Sequence, residues 1–122
     1  MSNLQTKQAE SGKKLTPRLL VVDDVLVNTW GYEQTNVDYY QVTALIGKSS
    51  VEIRSIAKDS IETGSMVGVC TPILGHFLNN PMRKRVIDGY CVRMDYGSAS
   101  RKDYQLIEGK KTFKPDRWSS YS

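Results

Sequence analysis

Short runs of apolar and β-branched residues, separated by polar turns, recur along this chain from Leu19 onward. Residues 25–30 follow an Asp23-Asp24 turn and are rich in valine, which loses side-chain freedom in a helix. Residues 39–46 then alternate strictly, so that every second side chain lies on the same face. A period of two predicts antiparallel strands in this part of the chain rather than a helix.

The rest of the chain continues the pattern in shorter pieces. Residues 51–56 alternate again, whereas the polar stretch 57–64 predicts a loop. Residues 66–74 read as a strand that Pro72 should end or place at a sheet edge, because proline donates no ladder hydrogen bond. Two further short strands are predicted around an Asp88-Gly89 hairpin turn. About five to seven such strands predict a mainly β fold, either a small antiparallel barrel or a curled sheet.

The length of 122 residues suits one domain. Residues 1–17 are polar and contain few large apolar side chains, so we expect a disordered N-terminal tail followed by a single β-rich domain over residues 18–122. No run approaches the roughly 18 apolar residues that a membrane helix needs, and the N-terminus lacks an apolar signal core. We therefore expect a protein of the cytoplasm of its host cell.

The most unusual stretch is the polar and aromatic segment between the first two strands, residues 28–40, which reads N-T-W-G-Y-E-Q-T-N-V-D-Y-Y. Two interpretations remain open. Its aromatic rings can fill the mouth of a small barrel while the amides satisfy turn backbone groups. Alternatively, exposed rings and amide edges can form a recognition site, because loops on a rigid scaffold often carry function.

Charge is distributed unevenly along a chain whose net charge is +4. Residues 19–47 hold four acidic side chains and no lysine or arginine, so the aromatic loop is an acidic island. Basic surface must lie elsewhere, and the most compact basic run is Arg83-Lys84-Arg85. The candidate binding residues are therefore Trp30, Tyr32, Glu33, Gln34, Thr35, Asn36, Asp38, Tyr39, Arg83, Lys84 and Arg85.

The residue types that usually carry catalysis are sparse. Cys70 and Cys91 form no metal-binding spacing and are expected to be small buried residues on strands. The single histidine, His76, lacks a second ligand or a nucleophile motif nearby. A hydrolase or transferase using His76, Asp38 and Glu33 is the least favoured hypothesis. We predict no enzyme, no metal and no cofactor.

Residues 30–40 resemble the central motif of a family of small uncharacterised proteins encoded by bacteriophages and other mobile elements, W-G-Y-[DE]-Q-T-N-x-x-[FY]-[FY]. Residues 21–25 resemble the strand that precedes this motif in the family, although Asp23 stands where glycine is expected. Residues 117–121 are similar to a weaker aromatic ending, and residues 48–122 as a whole match only loosely. The resemblance implies a phage or mobile-element origin and no particular activity.

The first hypothesis is a non-enzymatic binding protein that engages a host or defence protein, or a protein–nucleic-acid complex. As the resemblance implies, anti-defence action such as inhibition of a CRISPR complex is one form of this role. The alternative is a direct nucleic-acid or nucleotide binder that uses the loop aromatics and the basic runs. No membrane partner is expected, and the pattern leaves the oligomeric state open.

Overall fold

The computed structural model describes residues 18–120, so the expected N-terminal tail over residues 1–17 lies outside the described residues. Residues 18–120 fold into ten strands without a helix. The strands are β1 (Val25–Trp30), β2 (Asn36–Ile46), β3 (Ser50–Gly64), β4 (Val67–Phe77), β5 (Met82–Ile87), β6 (Cys91–Arg93), β7 (Ser98–Arg101), β8 (Gln105–Ile107), β9 (Lys110–Thr112) and β10 (Asp116–Ser119). Within this range, no helix has the length and hydrophobicity needed to cross a membrane.

Six strands close into a ring in the order β1, β2, β3, β5, β6 and β7, with β7 pairing back to β1. All of these pairings are antiparallel. The mainly β fold that the alternation predicts is therefore confirmed. The interior of the ring is filled by inward-facing apolar side chains of these strands and by Leu20, which precedes β1. They are Leu20, Leu26, Tyr40, Val42, Val51, Ile53, Val86, Val92 and Ala99.

The prediction of a loop over residues 57–64 is wrong, because β3 continues as a strand to Gly64. The first half of β3 belongs to the ring, where Ile53 pairs with Val42 on one side and Met82 on the other. The second half pairs with β4, for example Ile61 with Val69. Residues 58–67 are exposed, so no buried face imposes an apolar period, and the ladder with β4 defines the strand.

Strand β4 does not end at Pro72, as the sequence suggested it could, but runs on to Phe77. Pro72 pairs with Lys58 beside a register shift between β3 and β4. On its other side, β4 pairs with β10 only as far as Cys70. Pro72 is therefore tolerated because one edge of β4 is free beyond the β10 ladder, which is the edge position that the sequence also allowed.

A second apolar cluster lies outside the ring, where β4 and β10 cover the outer faces of β1 and β2. Its buried members are Val25, Val37, Tyr39, Ile56 and Cys70. Three partly buried rings pack against them: Phe77 of β4, Phe113 in the segment that follows β9, and Trp118 of β10. One isolated antiparallel bridge, between Thr35 and Ser119, joins β10 to the start of β2. The loop before β2 is therefore tied to the strand that covers the barrel.

Candidate functional site

Two aromatic rings stack at the end of the barrel where β1 finishes. The ring centroids of Trp30 and Tyr96 lie 4.9 Å apart with an interplanar angle of 13°. Trp30 is the last residue of β1, and Tyr96 belongs to the loop between β6 and β7. Tyr96 is 65% exposed. The ring closure brings these residues together, because β7 pairs with β1 and so carries its preceding loop to the end of that strand.

Hydrogen bonds hold both stacked residues in place. The indole Nε1 of Trp30 donates to Oδ2 of Asp38 at 2.7 Å. Asn28 is buried, and its Nδ2 donates to the backbone oxygen of Tyr96 at 2.7 Å. Trp30, Asn28 and Asp38 share the inward face of the β1–β2 ladder, in which Asn28 pairs with Asp38. The stack therefore rests on regular strands, which position side chains more accurately than a free loop does.

Tyr32 projects from the short loop between β1 and β2 and is 88% exposed. The loop is fixed beyond it, because the backbone N–H of Thr35 donates to the backbone oxygen of Ser119 and the Ser119 N–H donates back, both at 3.1 Å. Glu33 has a φ of 64°, a left-handed conformation that fixes the direction of the chain. Inside the loop, Gln34 Nε2 donates to Asn36 Oδ1 at 3.3 Å. A large exposed ring is thus carried by a well-anchored turn.

We refer to Trp30, Tyr32 and Tyr96 as the aromatic end of the barrel. Its charged groups are mainly acidic. Glu33 follows Tyr32, and Asp95 precedes Tyr96 in its loop. Burial raises the pKa of Tyr40, and the negative charges of Asp38 and Asp95 raise the pKa of this phenol further. The carboxylates of Asp38 and Asp95 are therefore both close enough to Tyr40 to act on its hydroxyl group.

Two basic residues lie at this end: Arg93, at the base of the Tyr96 loop, and Lys58 of β3. Lys58 is the one that contacts the β2 backbone. Its Nζ donates to the backbone oxygen of Val37 at 2.5 Å and lies 4.0 Å from Oδ1 of Asp38. The β2–β3 ladder has stopped by this point, since its last pair is Tyr39 with Ile56. Lys58 thus satisfies a carbonyl group that the diverging strands leave open. Its charge offsets only part of the acidity of the aromatic end.

Tyr39 is placed away from the exposed surface, although the sequence groups it with the loop. Its side chain is 2% exposed and lies in the cluster under β4 and β10. The hydroxyl of Tyr39 lies 2.5 Å from Oδ2 of Asp116 and 3.0 Å from the backbone oxygen of Cys70. Both interpretations of the aromatic segment thus describe part of it: Tyr39 and Tyr40 fill cores, while Tyr32 is displayed.

The basic run on β5 does not join the aromatic end. In the ring, β5 lies opposite β1, three strands away in either direction. Arg83 and Arg85 are exposed, while Lys84 is half-buried opposite Val51. Sequence analysis named both the residues of the aromatic segment and Arg83, Lys84 and Arg85 as candidate binding residues. The closed ring places these two groups on opposite sides of the barrel.

No family model, curated protein or solved structure matches this chain. Among the residues that the structure describes, no group of three or more His, Cys, Asp or Glu side chains is placed to hold a metal ion. Function must therefore be argued from the geometry of the surface itself.

The candidate residues named from sequence omit five residues of this region: Asn28, Lys58, Asp95, Tyr96 and Ser119. Tyr96 lies 66 positions after Trp30, and only the pairing of β7 with β1 makes them neighbours. The local signal was the Asp-Tyr-Gly turn at 95–97, which displays an aromatic residue between two hairpin strands. Ser119 offers no comparable signal, because its contacts are backbone hydrogen bonds with Thr35 and an Oγ that accepts from the Thr35 N–H at 3.0 Å, which no local pattern marks.

Proposed function

We propose that this protein is a non-enzymatic binding protein that engages its partner through the aromatic end of the barrel. The observation that carries this proposal is the exposure of Tyr32 on a loop fixed at Thr35, beside the stacked pair Trp30–Tyr96. Tyrosine and tryptophan are common energetic anchors of protein interfaces. An anchored loop loses little conformational entropy on binding, which favours affinity.

The charge of the aromatic end indicates the chemistry of the partner. Asp38 accepts a hydrogen bond from Trp30, and Glu33 and Asp95 adjoin Tyr32 and Tyr96 in the chain. Lys58 and the exposed Arg93, which pairs with Ser98 at the base of the Tyr96 loop, supply opposing charge. Phosphate groups would be repelled by such a surface, whereas lysine or arginine side chains of a protein would be attracted. Cations also bind favourably over aromatic faces. We therefore propose a protein partner, or the protein part of a nucleoprotein complex, with a basic contact surface.

The resemblance of residues 30–40 to proteins of phages and mobile elements directs the proposal to a class of partner. Small proteins from such elements commonly act by occupying a component of the host. A host or defence protein is accordingly the proposed target, and blocking of a defence complex is the proposed outcome. Many defence complexes handle nucleic acid through basic surfaces, which an acidic aromatic surface would complement.

The proposal is tested by capture from bacterial lysate with the tagged protein, before and after nuclease treatment. Tyr32→Ala removes the exposed ring, and Tyr90→Ala is the matched control because Tyr90 is also a partly exposed tyrosine but follows the β5–β6 turn. A captured protein should survive nuclease and be lost with Tyr32→Ala alone. In purified form, we expect Tyr32→Ala to weaken binding by about 2 kcal/mol, or roughly thirtyfold.

Thermal melting accompanies each variant. Since Tyr32 is exposed, Tyr32→Ala should leave the melting temperature close to that of the wild type. Capture that is equally strong with Tyr32→Ala, or capture of nucleic acid alone that disappears on nuclease treatment, would refute the proposal.

A further inference from the structure

A concave surface lies at the end of β1 opposite to the aromatic end. It is a cleft of about 1060 Å³ between the chain that leaves β7 and the β8–β9 hairpin. The hairpin forms its own two-stranded sheet, separate from the eight-stranded one. The backbone N–H of Lys102 donates to the backbone oxygen of Val25 at 2.7 Å. The side-chain Nζ of Lys111 donates to the backbone oxygen of Asp23 at 3.2 Å. The cleft is thus attached near the start of β1, whereas the aromatic end lies where β1 finishes.

Positive charge converges on this cleft. Arg101, Lys102 and Lys114 line it, against one acidic side chain, Asp103. Lys102 is committed to an ion pair, since its Nζ lies 2.8 Å from Oδ2 of Asp116, and Arg101 lies 3.8 Å from Asp103. Lys114 is exposed and forms no ion pair within residues 18–120. Its charge therefore remains available to an anion.

Aromatic and hydrogen-bonding groups line the same cleft. The rings of Tyr104 and Phe113 are 6.1 Å apart and tilted by 57°. The ammonium group of Lys111 lies 4.7 Å from the centroid of the Tyr104 ring. Gln105 and Thr112 pair across the β8–β9 ladder and also line the cleft, and the Thr112 hydroxyl donates to the backbone oxygen of Lys110 at 3.5 Å. A concave site with apolar walls and a few convergent polar groups is typical of small-ligand binding.

We propose that this cleft binds a nucleotide. Lys114 would hold the phosphate, because it lines the cleft and its charge is not paired within the described residues. Tyr104 and Phe113 would contact the base, whose flat face packs favourably on aromatic rings. The Gln105 amide would bond to polar edges of the base or sugar. This site is independent of the proposed function, since the two surfaces lie at opposite ends of β1.

The charge contribution is tested by calorimetric titration of the full chain with ATP and, in a second arm, with a short single-stranded DNA. Lys114→Glu reverses the available charge, and Lys48→Glu makes the same change at an exposed turn residue outside the cleft. We expect Lys114→Glu to weaken binding at least about tenfold, which corresponds to about 1.4 kcal/mol. Lys48→Glu should stay within about twofold of the wild type, a difference of less than about 0.5 kcal/mol.

The two arms distinguish the source of the nucleotide. Equal affinity for ATP and for the DNA strand would indicate a free mononucleotide, whereas tighter binding of the strand would indicate a nucleotide within nucleic acid. Either result supports the proposal, provided that Lys114→Glu weakens the binding of ATP or of the DNA strand. Absence of saturable binding in both arms, or equal weakening by Lys48→Glu, would overturn it.

The aromatic contribution is tested by comparing AMP with ribose 5-phosphate. AMP should bind more tightly, and Tyr104→Ala should remove most of this difference, since stacking contributes about 1–3 kcal/mol per base. Affinity for ribose 5-phosphate should change little in Tyr104→Ala, which also shows that the cleft still folds. Equal binding of the two probes to the wild-type protein would refute a base-binding role for the rings.

Discussion

Tyr39 Oη and Asp116 Oδ2 lie 2.5 Å apart although 77 positions separate them in the chain. The phenol donates its hydrogen to the carboxylate, and Lys102 Nζ approaches the same oxygen to 2.8 Å. Burial, followed by the hydrogen bond to Asp116, raises the pKa of Tyr39. These three residues join β2, β10 and the segment after β7. They hold β10 over the outer face of the barrel, and with it the bridge from Ser119 to the loop that carries Tyr32.

Replacement of Asp116 should therefore destabilise the fold. In Asp116→Ala, the ammonium group of Lys102, whose side chain is 9% exposed, would remain buried without its partner. Removing one member of a buried ion pair costs about 3–5 kcal/mol, and we expect the lower end because Asp116 is partly exposed. Urea denaturation measures the loss. Asp103→Ala is the control, because the Asp103 side chain is 95% exposed and should change stability by less than about 0.5 kcal/mol.

Comparable small losses for Asp116→Ala and Asp103→Ala would show that the buried pair does not stabilise the attachment of β10. Partner capture by Asp116→Ala, at a temperature where the variant is folded, offers a second readout. Weakened capture would show that β10 also supports the Tyr32 loop through the bridge between Ser119 and Thr35.

Alkaline unfolding should depend on Tyr39. Because burial raises its folded-state pKa, the neutral phenol stabilises the fold fully below the unfolded tyrosine pKa of about 10, and this contribution is lost as pH rises above it. Each such tyrosine lowers the free energy of unfolding by about 1.4 kcal/mol per pH unit in that range. Tyr39→Phe should therefore flatten the fall in stability above about pH 10.

Denaturant titrations on both sides of that pH measure the slope. Tyr32→Phe, at an exposed position, should retain the wild-type slope. An unchanged slope in Tyr39→Phe would indicate that its hydroxyl ionises as easily in the folded chain as in the unfolded one.

Gly68 should tolerate no side chain, because Trp118 lies directly on it. The two residues pair across β4 and β10, and a Cβ atom added to Gly68 would lie 2.4 Å from Cζ2 of Trp118 and 2.3 Å from the backbone oxygen of Ile61. The backbone contact cannot be relieved by a side-chain rotation. We expect Gly68→Ala to cost about 1–3 kcal/mol, the usual range for overpacking.

The matched control is Gly64→Ala, in which the nearest atom to the new Cβ would be Cγ2 of Val67 at 3.1 Å, part of a side chain that can move. Thermal melting and Trp118 fluorescence report the effect. Equal melting temperatures for the two variants would show that both β10 at Trp118 and the β3 backbone at Ile61 can move away from Gly68 without loss of stability.

The fold class followed from the sequence wherever one face of a strand is buried. The alternation over residues 39–46 reflects a real division, with Tyr40 and Val42 inside the ring and Tyr39 on its outer face. The same reasoning failed over residues 57–64, because both faces of that part of β3 are open to solvent and only its pairing with β4 makes it a strand. The alternation of apolar and polar residues records which face of a strand is buried. A strand that is held by hydrogen bonds alone, with both faces exposed, has no such alternation.

The candidate site was only partly accessible to sequence reasoning. Trp30 and Tyr32 stood out by residue type, but the same criterion included Tyr39, which is core. Aromatic residues serve both in interiors and at interfaces, so composition does not separate the two uses. The partner ring of Trp30, Tyr96, came from a distant hairpin loop.

By itself, the sequence determined the strands with a buried face, the acidic character of the aromatic segment and the position of its exposed turn. Tertiary structure alone decided which aromatic rings are exposed, that Tyr96 stacks on Trp30, and that Arg83 to Arg85 lie across the ring from them. It also decided that Arg101, Lys114 and Tyr104 line one cleft. The physical reason is that ring closure and strand register set these distances through long-range backbone pairing, whereas the sequence pattern records only local burial.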